Sequence, residues 1–150
     1  MRWQRSATCS RRPKLPKRSK PRLLFPLLSG RLMRIHGCSM APALNPGELV
    51  FVNERAYRVR PPRQGEIIAA RPGALGGKAL VKRIAGLPHE QVEVAGRRWQ
   101  LAEDQFFLLG DHEEDSQDSR EFGPVSRREL LGPVQCRVWP WRLMRPSENG

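Results

Sequence analysis

Histidine is scarce in this chain of 150 residues, at three, and so is cysteine, also at three. Cys9, Cys38 and Cys136 show no C-x-x-C spacing, so neither a zinc site nor a disulfide framework is predicted, and no metal or cofactor. They read as structural thiols of a reducing compartment. The G-x-S-x-G elbow, the H-E-x-x-H helix and the P-loop are all missing, which removes three common hydrolase and nucleotide-binding signatures. His36, His89 and His112 are dispersed, so nothing in the sequence assembles a Ser-His-Asp triad. Long apolar runs are lacking too. A spanning helix takes about 20 apolar residues. The best run, Leu23-Leu24-Phe25-Pro26-Leu27-Leu28, is six long and broken by a proline. It is also short for a secretory leader, and no clear small-residue cleavage site follows it.

Acidic residues are absent from residues 1–34, which hold eleven of the 27 lysines and arginines. The rest of the chain is close to neutral, with sixteen basic residues against fifteen acidic. The net charge of +12 therefore belongs to an N-terminal arm. Pro13, Pro16, Pro21 and Pro26 oppose a continuous helix there, and residues 1–31 are expected to be a disordered basic arm. The alternative is a weak contact of residues 1–34 with an anionic membrane surface or nucleic acid.

Glycine and proline are plentiful, at 13 and 14, and favour a turn-rich fold. Residues 32–145 read as one domain and residues 146–150 as a tail. Short apolar runs alternate with turns: Leu49–Val52, Glu66–Ala70, Ala79–Ala85, Gln91–Val94, Arg98–Leu101, Gln105–Leu109 and Val134–Val138. This spacing predicts an all-β domain of mainly antiparallel strands. Helix is expected only as short turns at Ser39–Leu44 and Ser126–Leu131, the second capped by Ser126.

One strand carries an oddity. In Leu80-Val81-Lys82-Arg83-Ile84, alternation puts Lys82 on the same face as Leu80 and Ile84. On the strand alone, the expected reading is an ordinary lysine reaching for water. A buried lysine, however, loses its proton more easily, and a neutral amine can take the proton of a serine hydroxyl.

Four segments make the second reading concrete. They are Gly37-Cys38-Ser39-Met40-Ala41-Pro42-Ala43-Leu44-Asn45-Pro46-Gly47-Glu48, Arg63-Gln64-Gly65-Glu66-Ile67-Ile68, Val81-Lys82-Arg83-Ile84-Ala85-Gly86-Leu87-Pro88, and Gly110-Asp111-His112 with Ser116-Gln117-Asp118-Ser119-Arg120-Glu121-Phe122-Gly123-Pro124-Val125. In this order they resemble the nucleophile, R-x-G-D, lysine and closing boxes of the signal peptidase I family. The resemblance implies a signal peptidase-like catalytic core, with Ser39 as nucleophile and Lys82 as general base. Ser116 would hydrogen-bond and orient Lys82. Asp118 and Arg120 would form an ion pair holding the closing loop, Met40 would pack beside the nucleophile, and the Ser39 N–H would serve the oxyanion hole. Gly110 and Asp111 read as turn-forming. Gly37 stands where some members carry a second oxyanion donor, and His112 replaces an asparagine.

The family often carries an N-terminal membrane helix and an extra β-domain between the lysine and closing boxes. Here about two dozen residues separate Pro88 from Gly110. Within the family this resembles the small anchorless form that matures nickel-type superoxide dismutase by trimming a leader from its precursor. A cytoplasmic site is expected for that job. Secretory signal-peptide removal at a membrane is the alternative, the anchor then lying in the true N-terminus. A repressor-type autoprotease with a Ser-Lys dyad and a non-enzymatic β-domain that binds extended peptides are the remaining alternatives. The closing box opposes the first, and the intact Ser39 and Lys82 oppose the second.

Overall fold

The protein is described by a computed structural model over residues 29–114, 116–139 and 142–144. The arm expected at 1–31, apart from its last three residues, and the tail expected at 146–150 lie outside the described residues.

Among the described residues ten strands run in chain order: β1 (Gly30–Arg34), β2 (Leu49–Asn53), β3 (Ile67–Ala70), β4 (Leu80–Gly86), β5 (Gln91–Val94), β6 (Arg97–Gln100), β7 (Gln105–Leu109), β8 (Val125–Ser126), β9 (Leu130–Trp139) and β10 (Arg142–Leu143). The main sheet has the order β1-β2-β9-β3-β4-β7-β8, with β10 beside β9, and β5-β6 forms a separate hairpin. Every pairing is antiparallel. The domain is mainly antiparallel β, as expected, and the sheet curls into a half-barrel. Two four-residue helices, α1 (Ala56–Val59) and α2 (Ser119–Phe122), complete the frame.

Strand β3 shows why the sheet curls. Its sequence, Ile-Ile-Ala-Ala, is apolar at every position, and all four residues are buried. Ile67 and Ala69 join a core cluster with Met40, Leu44, Val50, Val52 and Val134. Ile68 and Ala70 join another with Ile84, Phe106, Leu108, Val125 and Leu130. A strand covered on both faces reads as a continuous apolar run rather than an alternating one.

Four strands differ from expectation, the short β10 among them. Strand β1 begins at Gly30, two residues before the expected start of the domain. Its residues are largely exposed, so pairing with β2 rather than apolar patterning creates it. Strand β9 extends well beyond Val134–Val138, because Gly132 and Pro133 bend it instead of ending it. Its first part pairs with β3 and its second part with β2. Gly132 lies so close to the Asn53 backbone that no Cβ fits. The short β8 pairs with β7. The expected helix at Ser126–Leu131 is a 3-10 turn at Arg127–Glu129, with Ser126 at its N-cap, and Leu130 is drawn into β9. The segment expected as a short helix at Ser39–Leu44 closes a single helical turn, Leu44 N–H to Met40 O at 2.8 Å. Among the described residues, no helix is long and apolar enough to cross a membrane.

One topological detail positions the site. Strand β4 pairs with β3 through Leu80–Arg83, but with β7 only from Arg83 onward. Leu80, Val81 and Lys82 thus keep an open edge, and β1 is the terminal strand of the sheet.

Candidate active site

Ser39 sits in the turn between β1 and β2. The base of that turn is closed by Ile35 N–H to Glu48 O (2.8 Å) and Gly47 N–H to Ile35 O (2.9 Å). Gly37 supplies the left-handed backbone that the turn needs, at φ 78°. Met40 and Leu44 are buried and pin the turn to the core. Glu48, also buried, accepts from Asn45 N–H and pairs with Arg137 of β9. Burial pushes the Glu48 carboxyl up, but the bonds from Asn45 and Arg137 outweigh it and hold the group below its ordinary value.

Lys82 lies on β4 with only 4% of its surface exposed. The alternation expected from sequence holds: Ile84 is buried on the same face, while Val81 and Arg83 face the other way and are half-buried. The Lys82 Nζ donates to Ser39 Oγ at 2.6 Å. Burial lowers the Lys82 ammonium below its ordinary value, and the Asp118 carboxylate opposes that shift without cancelling it.

The closing loop docks on the end of β7. Asp118 is fully buried. It accepts from Gly110 N–H (3.0 Å), Ser116 Oγ (2.7 Å), Arg120 N–H (3.1 Å), Arg120 Nε (2.9 Å) and Arg120 Nη2 (2.8 Å). It is also the N-cap of α2. Burial pushes this carboxyl up, yet the Arg120 fork and the other donors win and hold it below its ordinary value. The Arg120 guanidinium is raised by the same hydrogen bonds. Beside it, Ser119 Oγ accepts from Leu108 N–H at 2.9 Å.

One expected contact is replaced by another. Ser116 does not hydrogen-bond Lys82. Its hydroxyl donates to Asp118 at 2.7 Å, one of the bonds that hold that buried carboxylate. Ser116 instead packs against Gly110. A Cβ at Gly110 would overlap the Ser116 side chain and come within 2.7 Å of the Ser39 carbonyl oxygen. Gly110→Ala is therefore expected to destabilise the protein by about 1–3 kcal/mol, read as a lower thermal midpoint.

Sequence reasoning missed a second ion pair. Arg83, next to Lys82, grips Asp111 with two hydrogen bonds, of 2.7 and 2.6 Å, and donates to Gly65 O at 2.7 Å. It joins the lysine strand to the closing segment and to the turn before β3. Asp111 had read as a turn residue, and nothing local announces a partner 28 positions away. His112, which replaces the family's asparagine, donates its backbone N–H to the Ser39 carbonyl at 3.1 Å.

Ser39 and Lys82 lie in a cleft of about 470 Å³. Its walls are apolar, from Met33, Ile35, Leu75, Leu80 and Val81, and Cys38 stands on its rim. The open edge of β4 forms one side, and Met33 with the segment following β1 forms the other. The molecule is thus an all-β domain that presents a serine and a buried lysine together in a peptide-sized cleft.

Comparison with known proteins places it within one family. Residues 27–99 and 95–139 match the family model "Signal peptidase, peptidase S26", and the chain belongs to that family. It is 32% identical over 132 residues to signal peptidase I of Leptolyngbya laminosa, covering 68% of this chain and 65% of that protein. It is also 32% identical over 134 residues to the probable signal peptidase I-2 of Synechocystis, covering 71% and 62%. A mitochondrial ATP-independent inner membrane protease subunit 1b of Arabidopsis thaliana is 29% identical over 126 residues, covering 78% and 75%. The chain therefore spans a little under two thirds of the length of the first two curated relatives.

Proposed function

We propose that this protein is a serine endopeptidase that removes an N-terminal leader from a precursor protein. The observation that carries the reading is the 2.6 Å contact between Lys82 Nζ and Ser39 Oγ, made by a lysine that is almost wholly buried. With Lys82 neutral, its amine takes the Ser39 proton as Oγ bonds to the scissile carbonyl carbon. The developing oxyanion is met by the Ser39 N–H, a kind of donor worth about 3 kcal/mol. Collapse breaks the C–N bond, and the Lys82 ammonium returns its proton to the leaving amine. Lys82 then deprotonates water, which hydrolyses the ester and restores Ser39. Asp118, Arg120 and Ser116 act one step back, holding Gly110 and the closing loop against Ser39, and Met40 anchors the nucleophile turn.

The substrate lies extended, adding a strand to the open edge at Leu80–Lys82. The resemblance points to small residues at the first and third positions before the cut. The specific substrate we infer is the precursor of a nickel-type superoxide dismutase, matured in the cytoplasm. What supports it is the brevity of the segment between the lysine and closing boxes, which holds the β5–β6 hairpin and β7. A second reading, a secretory precursor cleaved at a membrane, is favoured by the names of the relatives. Incubating each precursor with wild-type and Ser39→Ala protein separates the two, with cleavage of only the dismutase precursor supporting the first. Loss of no activity in Ser39→Ala would overturn both.

The pH dependence follows from the burial of Lys82. Its base form is the active one, so kcat/KM rises with pH. Because the ammonium is held below its ordinary 10.5, the rise is expected through an apparent pKa below that value. A profile whose midpoint lies at or above pH 10.5 would contradict a desolvated base.

A further inference from the structure

The same cleft carries an uneven charge that the proposed reaction does not use. No aspartate or glutamate lines it, while Lys78, Lys82 and His36 do. Lys82 is engaged with Ser39. Lys78 is exposed, and among the described residues it forms no ion pair. Its position is set by the backbone. Residues Gly73–Leu75 form a 3-10 turn, and Gly76 and Gly77 follow with φ of 62° and 78°, a left-handed pair that reverses the chain. The Lys78 N–H then closes on Leu75 O at 3.3 Å. This turn delivers Lys78 to the far end of the cleft, just before the open edge of β4 begins at Leu80.

The spacing makes the position readable. Lys78 precedes Lys82 by four residues, at most about 13 Å of chain, the last three of the span lying in β4. An extended substrate beside β4 advances at the same rate. With the substrate parallel to β4 and its scissile carbonyl at Ser39, the substrate residue beside Lys78 lies four residues N-terminal to the one bearing that carbonyl. The even offset puts both side chains on the same side of the substrate strand. Resting on the reading of this site as a leader peptidase, we propose that Lys78 is a specificity residue that selects an acidic side chain at the fifth position before the cut. A carboxylate there meets a cation with no competing acid in the cleft. A lysine there meets like charge.

The experiment uses the full chain and synthetic peptides with alanine at the first and third positions before the cut. They differ only at the fifth, as Glu, Gln or Lys. Wild type is expected to cleave the Glu peptide about 5-fold faster than the Lys peptide, in kcat/KM, at low salt, with the ratio shrinking in 0.5 M salt. Lys78→Glu is expected to invert the order. The same peptides are titrated onto Ser39→Ala protein, with and without Lys78→Glu, by fluorescence anisotropy, where the affinities should follow the same inversion. Equal handling of the Glu and Lys peptides by wild type, or a preference that Lys78→Glu leaves in place, overturns the role of Lys78. If binding shows the inversion but no peptide is cut in a Ser39-dependent way, the peptidase reading fails while the charge selection stands.

Discussion

Replacing Lys82 by methionine is expected to lower kcat by about 10²- to 10⁴-fold while leaving the protein folded. Methionine is of similar length and fills the same apolar slot between β4 and the Ser39 turn, so packing survives. What disappears is the group that takes the Ser39 proton, 2.6 Å away. Ser39→Ala should cost at least as much, and the double variant little more, because a nucleophile and its base act as a unit. The second half of the expectation concerns stability. Burial holds the Lys82 ammonium below its ordinary value, so at neutral pH the folded state bears a cost for this charge that the unfolded chain does not. Methionine removes that cost, and the thermal midpoint of Lys82→Met should rise at pH 7. The gain should vanish at high pH, where both states lose the proton. A midpoint that falls at pH 7 would mean Lys82 stabilises the fold, contrary to its burial.

Asp118→Ala is expected to produce the largest loss of stability, about 3–5 kcal/mol, with loss of activity alongside it. Asp118 is fully buried and accepts five hydrogen bonds. Truncating it leaves the Arg120 guanidinium, the Ser116 hydroxyl and the Gly110 N–H without their acceptor in a site that water enters poorly. The α2 N-cap is lost too. Its acid behaviour follows from the same contacts. Because the folded group is held below its ordinary value of 3.8, its stabilisation is present above that value and is lost as the pH falls below about 4 toward the folded value. The wild type should therefore weaken steeply below pH 4. Asp118→Asn, less stable at pH 7, should lack that part of the slope. Urea unfolding at pH 7 and pH 3 checks both statements, and parallel pH dependences for the two proteins would refute the account.

Much of the fold was legible. Six of the apolar runs, Leu49–Val52, Glu66–Ala70, Ala79–Ala85, Gln91–Val94, Arg98–Leu101 and Gln105–Leu109, fall on strands within a residue at each end. Their turns are marked locally by glycine and proline, and local signals survive folding. Strand β1 was missed because an edge strand with exposed arginines has no pattern of its own. Strand β9 was cut short because Gly132 and Pro133 look like an ending, yet they form the bend where the strand changes partners from β3 to β2.

The sequence by itself determined the face of Lys82, which alternation puts with Ile84, and it was the resemblance of the four ordered boxes to a family that brought Ser39, Lys82, Asp118 and Arg120 forward. Only the tertiary structure decided how they are wired. Ser116 serves Asp118 rather than Lys82, Arg83 clasps Asp111, and Gly110 leaves the space through which the closing loop approaches Ser39. Lys82 itself shows the division most clearly. Alternation gives a side chain's face but not its depth, and the desolvation that makes a lysine a base depends on what covers it. That cover comes from a turn and a loop distant in sequence, so it exists only once the sheet has curled.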